Sequence, residues 1–233
     1  GMAFELSLIL SVFAFIFSTI GGTGLALWYM NSSDRLRRFM NVVLQFFYIF
    51  PVFCLAIIAV QFFTSSYYSP SLNWFPGPGA FLMLSSDMSF RSLWFHQGVY
   101  LLLPALIISI PLSAGIALRW IGGMEEEIGL DYVRTLRSKG LSKKRIYMIH
   151  VLRNVSIPMI VHFTLLFPAL MSGIVLIENI FAIGGVGRLT FQSVMHRDIN
   201  LLLIITGLIA FFNIVFNKLG GYCMRFADPR IKT

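Results

Sequence analysis

Residues 99–121 read VYLLLPALIISIPLSAGIALRWI, and the only charged side chain among them is that of Arg119. A helix needs roughly 20 apolar residues to cross the hydrocarbon core of a bilayer, which is about 30 Å thick. Four other stretches are as long and mainly apolar: residues 6–29, 39–63, 155–180 and 201–222. The sequence therefore predicts an all-α fold, a polytopic transmembrane bundle with about five membrane helices.

The overall composition supports a membrane protein over a soluble one. Hydrophobic residues make up 57% of the chain and charged residues 12%, and the mean hydropathy is +0.80. A soluble domain of this size cannot bury so much apolar surface. The net charge of +8 would suit a nucleic acid, but the basic residues interrupt apolar spans, so we expect a lipid bilayer and no nucleic acid as partner.

Cysteine and histidine content gives no sign of a metal site or a disulfide framework. Cys54 and Cys223 lie in distant apolar segments, and the four histidines are scattered without ligand spacing. No repeat and no Gly/Ser-rich linker divides the chain. Residues 1–233 are therefore expected to form a single transmembrane domain without a cofactor of its own.

The basic residues divide unequally between the two sides of the predicted membrane domain. Three lie between residues 31 and 38, eight between 119 and 153, and four from Lys218 onwards, which makes 15 of the 18 on one side. Positive residues favour the cytoplasm. Loop 122–154 is therefore predicted to be cytoplasmic, and segments 64–96 and 181–199 external. An external N-terminus would follow, which indicates a missing preceding helix.

Within the cytoplasmic loop, residues 131–154 read DYVRTLRSKGLSKKRIYMIHVLRN. Asp131 is predicted to cap a first short helix, and Gly140 stands where a helix end favours a left-handed residue. Ser142 is predicted to cap a second short helix, with Ile146 and Ile149 along one side. A compact knob at the membrane surface and a solvated loop that only sets topology both fit this spacing.

The same stretch resembles the cytoplasmic EAA loop of ABC importer permeases, in particular those of the peptide/nickel branch. Gly140 falls on the glycine of that loop, and LRN at 152–154 falls where many other branches have Leu-Pro-Asn. SSDRLRRFMNVV, IENIFAIGGVGRLTFQSVMHRD and DPRIK resemble further family segments in the same order, so the resemblance covers nearly the whole chain. By this comparison, a first N-terminal helix that the family has is expected to be missing here. Ile183-Gly184 replaces its Trp-Pro, which predicts a looser external turn.

The resemblance implies a type I ABC importer permease in the inner membrane of a bacterium or archaeon. Such a subunit forms half of a translocation path, here for peptides or a related solute such as a nickel chelate. Its implied partners are a second homologous permease, two ATPase subunits that hold ATP and Mg, and an external solute-binding protein. The chain is not expected to be an enzyme, because it lacks the G-x-x-x-x-G-K-[ST] phosphate loop.

The resemblance also suggests which loop residues contact an ATPase. They are the small, apolar and basic residues around the glycine: Arg134, Thr135, Leu136, Arg137, Lys139, Gly140, Leu141 and Lys143. The acidic run at 125–127 is interpreted as a solvated face.

Two polar residues at membrane depth are candidates for translocation or gating. Glu178 is ionisable near the end of a span, but it could equally serve as a structural partner of Arg188 or of a backbone amide. His162 lies in mid-span, where a polar contact between helices is the alternative. Outside this family, a secondary transporter or a membrane scaffold subunit would also fit the apolar composition.

Overall fold

The computed structural model describes residues 2–64, 71, 74–79 and 90–227, and its regular structure in these ranges is helical. Most of segment 64–96 and the DPRIK tail lie outside the described residues. The all-α prediction is confirmed for the described part. In chain order the helices are α1 (Met2–Asn31), α2 (Asp34–Ile49), α3 (Val52–Phe63), α4 (Phe90–Ile128), α5 (Asp131–Ser138), α6 (Lys143–Arg145), a π-helical turn (Ile146–Val151), α7 (Leu152–Gly173), α8 (Val175–Ile180), α9 (Val186–Met195) and α10 (Ile199–Ala227).

In the described ranges, four helical segments are long and apolar enough to cross a membrane: Met2–Asn31, Tyr100–Ile128, Lys143–Leu170 and Ile199–Tyr222. A fifth span exists if α2 and α3 are counted as one. The predicted span 39–63 is not one continuous helix: α2 and α3 meet at an angle of 92°, so it corresponds to a broken span. Pro51 explains the break: a proline disfavours the helical conformation of the residue before it, and Phe50 is extended.

The boundaries of the fourth predicted span also need correction. Its helix begins at Lys143, well before residue 155, and α7 ends at Gly173. Ile174, with φ −85° and ψ 5°, separates it from the short helix α8. The prediction of one helix over residues 155–180 is therefore wrong at its C-terminal end, although α7 is continuous through both of its prolines.

Glycines allow α1 to pack closely against α4. A Cβ atom on Gly22 would lie 2.6 Å from the Cβ of Ile116 and 2.7 Å from the carbonyl oxygen of Ser113, so only glycine fits there. Small residues permit this approach of two membrane helices. The close approach is confined to this part of α1, since a Cβ atom on Gly24 would meet no other atom within 4 Å.

The buried side chains form two clusters, one towards each end of the bundle. The cluster at the end that carries α5 includes Met124, Val133 and Ile146, and we call this end the loop end. The cluster at the opposite end includes Leu10 of α1 and Ile177 of α8. Because Val133 of α5 is fully buried, the loop helix is part of the folded core.

Candidate functional site

The loop helix α5 begins one residue earlier than a cap at Asp131 would require. Leu130 is the N-cap residue, with an extended backbone and no side-chain cap hydrogen bond. Gly129 and Leu130 make the turn that follows α4, which places Asp131 in the first helical turn. Its carboxylate contacts Arg134 at 3.2 Å, and both side chains are exposed. The predicted cap at Asp131 is therefore wrong.

Gly140 ends α5 in the conformation that the sequence predicts. Its φ is +78°, in the left-handed region. The N–H of Gly140 donates to the carbonyl of Arg137 at 2.9 Å, and the N–H of Leu141 donates to that of Leu136 at 3.3 Å. These are the two hydrogen bonds of a Schellman motif, and the half-buried Leu136 and Leu141 supply its usual apolar residues. The prediction for Gly140 is confirmed.

The second helix of the loop is not a separate short helix. Ser142 is its N-cap, and its hydroxyl accepts a hydrogen bond from the N–H of Arg145 at 3.4 Å, so the predicted cap is confirmed. The helix then continues through the π-helical turn into α7. Of its predicted apolar side, Ile146 is buried but Ile149 is 51% exposed. The loop is therefore one short helix followed by the start of a long one.

The predicted ATPase-contacting residues occupy two different environments. Leu136 and Leu141 are half-buried against the chain's own core cluster at the loop end. The other six are exposed: Arg134, Thr135, Arg137, Lys139, Gly140 and Lys143. Five of the eight predicted residues thus present charged or polar side chains outward, and the surface that they form is basic. We call these six exposed residues the basic surface.

Three polar residues that the sequence interpretation missed hold the loop to the bundle. The hydroxyl of Tyr132 in α5 donates a short hydrogen bond to Oε2 of Glu127 in α4. Asn154 of α7 donates from Nδ2 to the same Glu127 oxygen at 3.2 Å and to the Tyr132 hydroxyl at 3.4 Å. Glu127 therefore does not belong to a solvated face, although Glu125 and Glu126 before it are exposed as predicted.

Tyr132 remains a hydrogen-bond donor over a wide pH range. Burial, and then the hydrogen bond to Glu127 and the charge of that carboxylate, raise the pKa of Tyr132 to about 12. Burial disfavours a charged phenolate, and a neighbouring negative charge disfavours it further. At neutral pH the tyrosine is therefore fully protonated and can donate to Glu127.

At the opposite end of the bundle, Glu178 of α8 is a completely buried residue whose carboxyl group is held by two other helices, α1 and α9. Ser7 of α1 donates from Oγ to Oε1 of Glu178 at 2.5 Å, and the N–H of Arg188 donates to Oε2 at 2.9 Å. Ser7 Oγ also accepts a hydrogen bond from the N–H of Val186 at 2.8 Å. These bonds satisfy free N–H groups in the first turn of α9, whose own N-cap residue has no side-chain cap bond.

The turn between α8 and α9 is tightly bonded, so the looser turn expected from Ile183-Gly184 is wrong. The N–H of Ile183 donates to the carbonyl of Glu178 at 2.8 Å, and Arg188 Nη1 donates to the carbonyl of Ala182 at 2.7 Å. A Cβ atom on Gly185 would lie 2.3 Å from Cδ of Glu178. Glycine at this position lets the backbone close around the carboxyl group.

Glu178 and His162 lie in different helices and share no hydrogen-bond partner among the described contacts. His162 is half-buried in α7, whereas Glu178 lies in α8 and is bonded to Ser7 and Arg188. Glu178 accepts a hydrogen bond from the backbone amide of Arg188, as expected if its role is structural. The gating roles of Glu178 and His162 stay predictions. Among the described residues, no three His, Cys, Asp or Glu side chains are grouped as metal ligands.

The sequence and the fold have counterparts among known proteins. Residues 7–233 match the family model described as binding-protein-dependent transport system inner membrane component. The chain belongs to this family. The resemblance to importer permeases is thereby confirmed, as is the assignment to the inner membrane with several spans.

Several curated members of the family are similar over most of this chain. An oligopeptide transport system permease protein OppB of Haemophilus influenzae is 29% identical over 99% of the chain and 70% of its own length. A di/tripeptide transport system permease protein DppB of Pseudomonas aeruginosa is 33% identical over 98% and 69%. A putative peptide transport system permease protein of Brucella abortus is 34% identical over 78% of this chain, which spans 54% of that protein.

The fold also matches a solved structure. A chain of the MetNI methionine ABC transporter, in an inward-facing conformation, superposes with a TM-score of 0.68 over 96% of this chain and 94% of that one. The sequence identity is 11%, so the likeness concerns the fold alone. It confirms the predicted type I importer permease fold.

Proposed function

We propose that this chain is a permease subunit of an ATP-driven importer for peptides or a related solute such as a nickel chelate. It forms half of the translocation path, and a second homologous permease forms the other half. An external binding protein delivers the solute at the end of the bundle that carries α9. Two ATPase subunits bind at the loop end.

The peptide as cargo is supported by the names of the relatives. Members of the family from three bacteria, similar over 78% to 99% of this chain, are named as permeases for oligopeptides, for di- and tripeptides, or for peptides. The nickel chelate rests only on the resemblance of the loop to the peptide/nickel branch.

The proposed ATPase contact rests on one observation, the basic surface at a loop helix that is packed against the core. In the part of the chain that the structure describes, Arg137 and Lys139 pair with no acidic side chain, and Arg134 pairs only with its exposed neighbour Asp131. Exposed pairs of this kind are weak. The surface is therefore free to meet acidic groups of a partner, while Val133 and Leu136 anchor the helix beneath it.

ATP hydrolysis belongs, in this proposal, to the partner subunits, which also hold Mg. The chain itself contributes a contact surface and a rigid connection to the spans, so that closure of the ATPases moves the spans between two states. The purified chain alone is accordingly expected to hydrolyse no ATP.

Cross-linking tests the ATPase contact directly. A single cysteine at Thr135, in the middle of the basic surface, is expected to cross-link to an ATPase subunit in the assembled transporter. A cysteine at Gln192, exposed on α9 at the opposite end, is the control and is expected to give no such product. An ATPase cross-link from Gln192 and none from Thr135 would contradict the proposed orientation.

Uptake by the whole transporter, reconstituted in vesicles with its binding protein, tests the energy source. Arg137→Glu reverses a charge on the basic surface and is expected to lower ATP-dependent peptide uptake. Lys144→Glu makes the same change at an exposed residue outside that surface and is expected to lower it much less. Uptake that follows an imposed ion gradient and needs no ATP would instead support a secondary transporter.

A further inference from the structure

Three helices meet at the side chain of Glu127, near the loop end of the bundle. Glu127 lies in the last turn of α4, Tyr132 in the first turn of α5 and Asn154 in the first turn of α7. Tyr132 and Asn154 both donate to the same carboxylate oxygen and lie within 3.4 Å of each other. We call these three residues the junction. It connects the loop helix directly to both long helices that the loop joins.

The covalent connections of α5 are less direct than the junction. Gly129 precedes the helix and Gly140 follows it, so each end is joined through a glycine. From Gly140 the chain reaches α7 only through α6 and the π-helical turn (Ile146–Val151). A π-helical turn interrupts the regular helical hydrogen bonds and often occurs at functional sites. Movement of α5 could therefore be absorbed along this route before it reached α7.

Apart from the junction, α5 is attached mainly by two apolar side chains. Val133 is completely buried and Leu136 is half-buried, whereas the opposite side of the helix is exposed and polar. Apolar contacts are not directional, so they hold α5 against the bundle without fixing its orientation. Hydrogen bonds are directional, and those of Glu127 fix the helix relative to α4 and α7.

We propose that Glu127, Tyr132 and Asn154 are positioning residues that transmit displacement of the loop helix to α4 and α7. This inference rests on the proposed function, because the displacement comes from the ATPase subunits. The junction makes α5 and the adjoining ends of both spans move as one body. It also keeps the basic surface at a fixed angle to the spans.

Removal of the tyrosine hydroxyl tests the junction in the assembled transporter. Tyr132→Phe deletes one donor and keeps the ring that packs against the core. The matched control is Tyr29→Phe, which deletes the hydrogen bond from another tyrosine to another glutamate of α4, Glu125, at 3.1 Å. That bond joins α1 to α4 and does not involve the loop. Both variants lose one tyrosine–carboxylate bond at the same end of the bundle.

The measured quantity is peptide uptake per ATP hydrolysed in reconstituted vesicles. For Tyr132→Phe we expect uptake per ATP to fall about fivefold. Loss of one such hydrogen bond lowers the ratio of attached to detached loop helix by about this factor. ATP hydrolysis itself and the assembly with both ATPases are expected to persist, since the basic surface is unchanged. Glu127→Gln retains an acceptor oxygen and is expected to keep more of the uptake than Glu127→Ala.

Hydrogen exchange of the α5 amides in the assembled transporter gives a readout that does not depend on transport. It is expected to be faster in Tyr132→Phe than in Tyr29→Phe, because α5 has lost its directional attachment. If both variants match the parent in exchange and in uptake per ATP, the inference is wrong and the proposed function stands. If the parent shows no ATP-dependent uptake, the proposed function fails and the inference with it.

Discussion

Substitutions of Gly140 can distinguish two effects of an added side chain: strain in the backbone of the loop, and obstruction of the surface that a partner subunit would contact. The φ of +78° is unfavourable for any residue with a side chain, yet a Cβ atom at this position would meet no other atom within 4 Å. Within the chain, therefore, an added side chain costs free energy through its backbone conformation and not through a clash. Size matters only if a partner subunit lies against the glycine.

The magnitude follows from the turn itself. An alanine in the left-handed region costs about 1–2 kcal/mol, and asparagine costs less because its side chain tolerates this conformation. The two hydrogen bonds that close the turn at Gly140 contribute about 0.5–1.5 kcal/mol each. The strain in Gly140→Ala is thus comparable to the stabilisation of the turn. The population of the closed turn should fall about 5- to 30-fold.

The assay is ATP-dependent uptake by the reconstituted transporter for Gly140→Asn, Gly140→Ala and Gly140→Val. If strain dominates, uptake decreases in that order, although asparagine is larger than alanine. Gly122→Ala is the control, since Gly122 is helical and its Cβ would also meet no atom. Higher uptake with alanine than with asparagine would refute strain as the cause and indicate obstruction. Parental uptake in all three variants would mean that the loop only sets topology.

Three further predictions concern other parts of the chain. A cysteine at Ser138 should react only with reagents on the cytoplasmic side and one at Gln192 only from outside, as labelling of intact cells can check. Tyr132 should lose its proton at a pH of about 12, so its hydrogen bond to Glu127 is present below pH 10 and is lost as the pH rises from 10 to about 12. The difference in ultraviolet absorbance between the parent and Tyr132→Phe measures this deprotonation, and a midpoint near pH 10 would contradict the effect of burial. Gly185→Ala should displace the buried carboxyl group of Glu178 and lower the free energy of unfolding by about 1–3 kcal/mol, which lowers the melting temperature in detergent by several degrees. Gly184→Ala is the control and should leave the melting temperature unchanged, because a Cβ atom there would meet no other atom.

The features that sequence alone could predict are those that depend on residues close together in the sequence. Span positions follow from runs of apolar residues, and the turn at Gly140 follows from the chemistry of a helix end. The break at Pro51 was visible as a proline in an apolar run, but its 92° angle depends on how α2 and α3 each pack against α4. The serine that holds Glu178 is 171 residues away, and no local pattern connects the two.

In the acidic run 125–127, helical periodicity separates the directions of the three carboxylates. Successive residues of a helix point about 100° apart, so Glu125 and Glu127 differ by about 200° and cannot share one solvated face. In the structure Glu125 accepts a hydrogen bond from Tyr29 of α1, and Glu127 accepts from Tyr132 and Asn154. Three consecutive carboxylates at the end of a packed helix therefore predict that at least one of them contacts a neighbouring element. Which tyrosine reaches which carboxylate depends on the tertiary arrangement, because both donors lie in other helices.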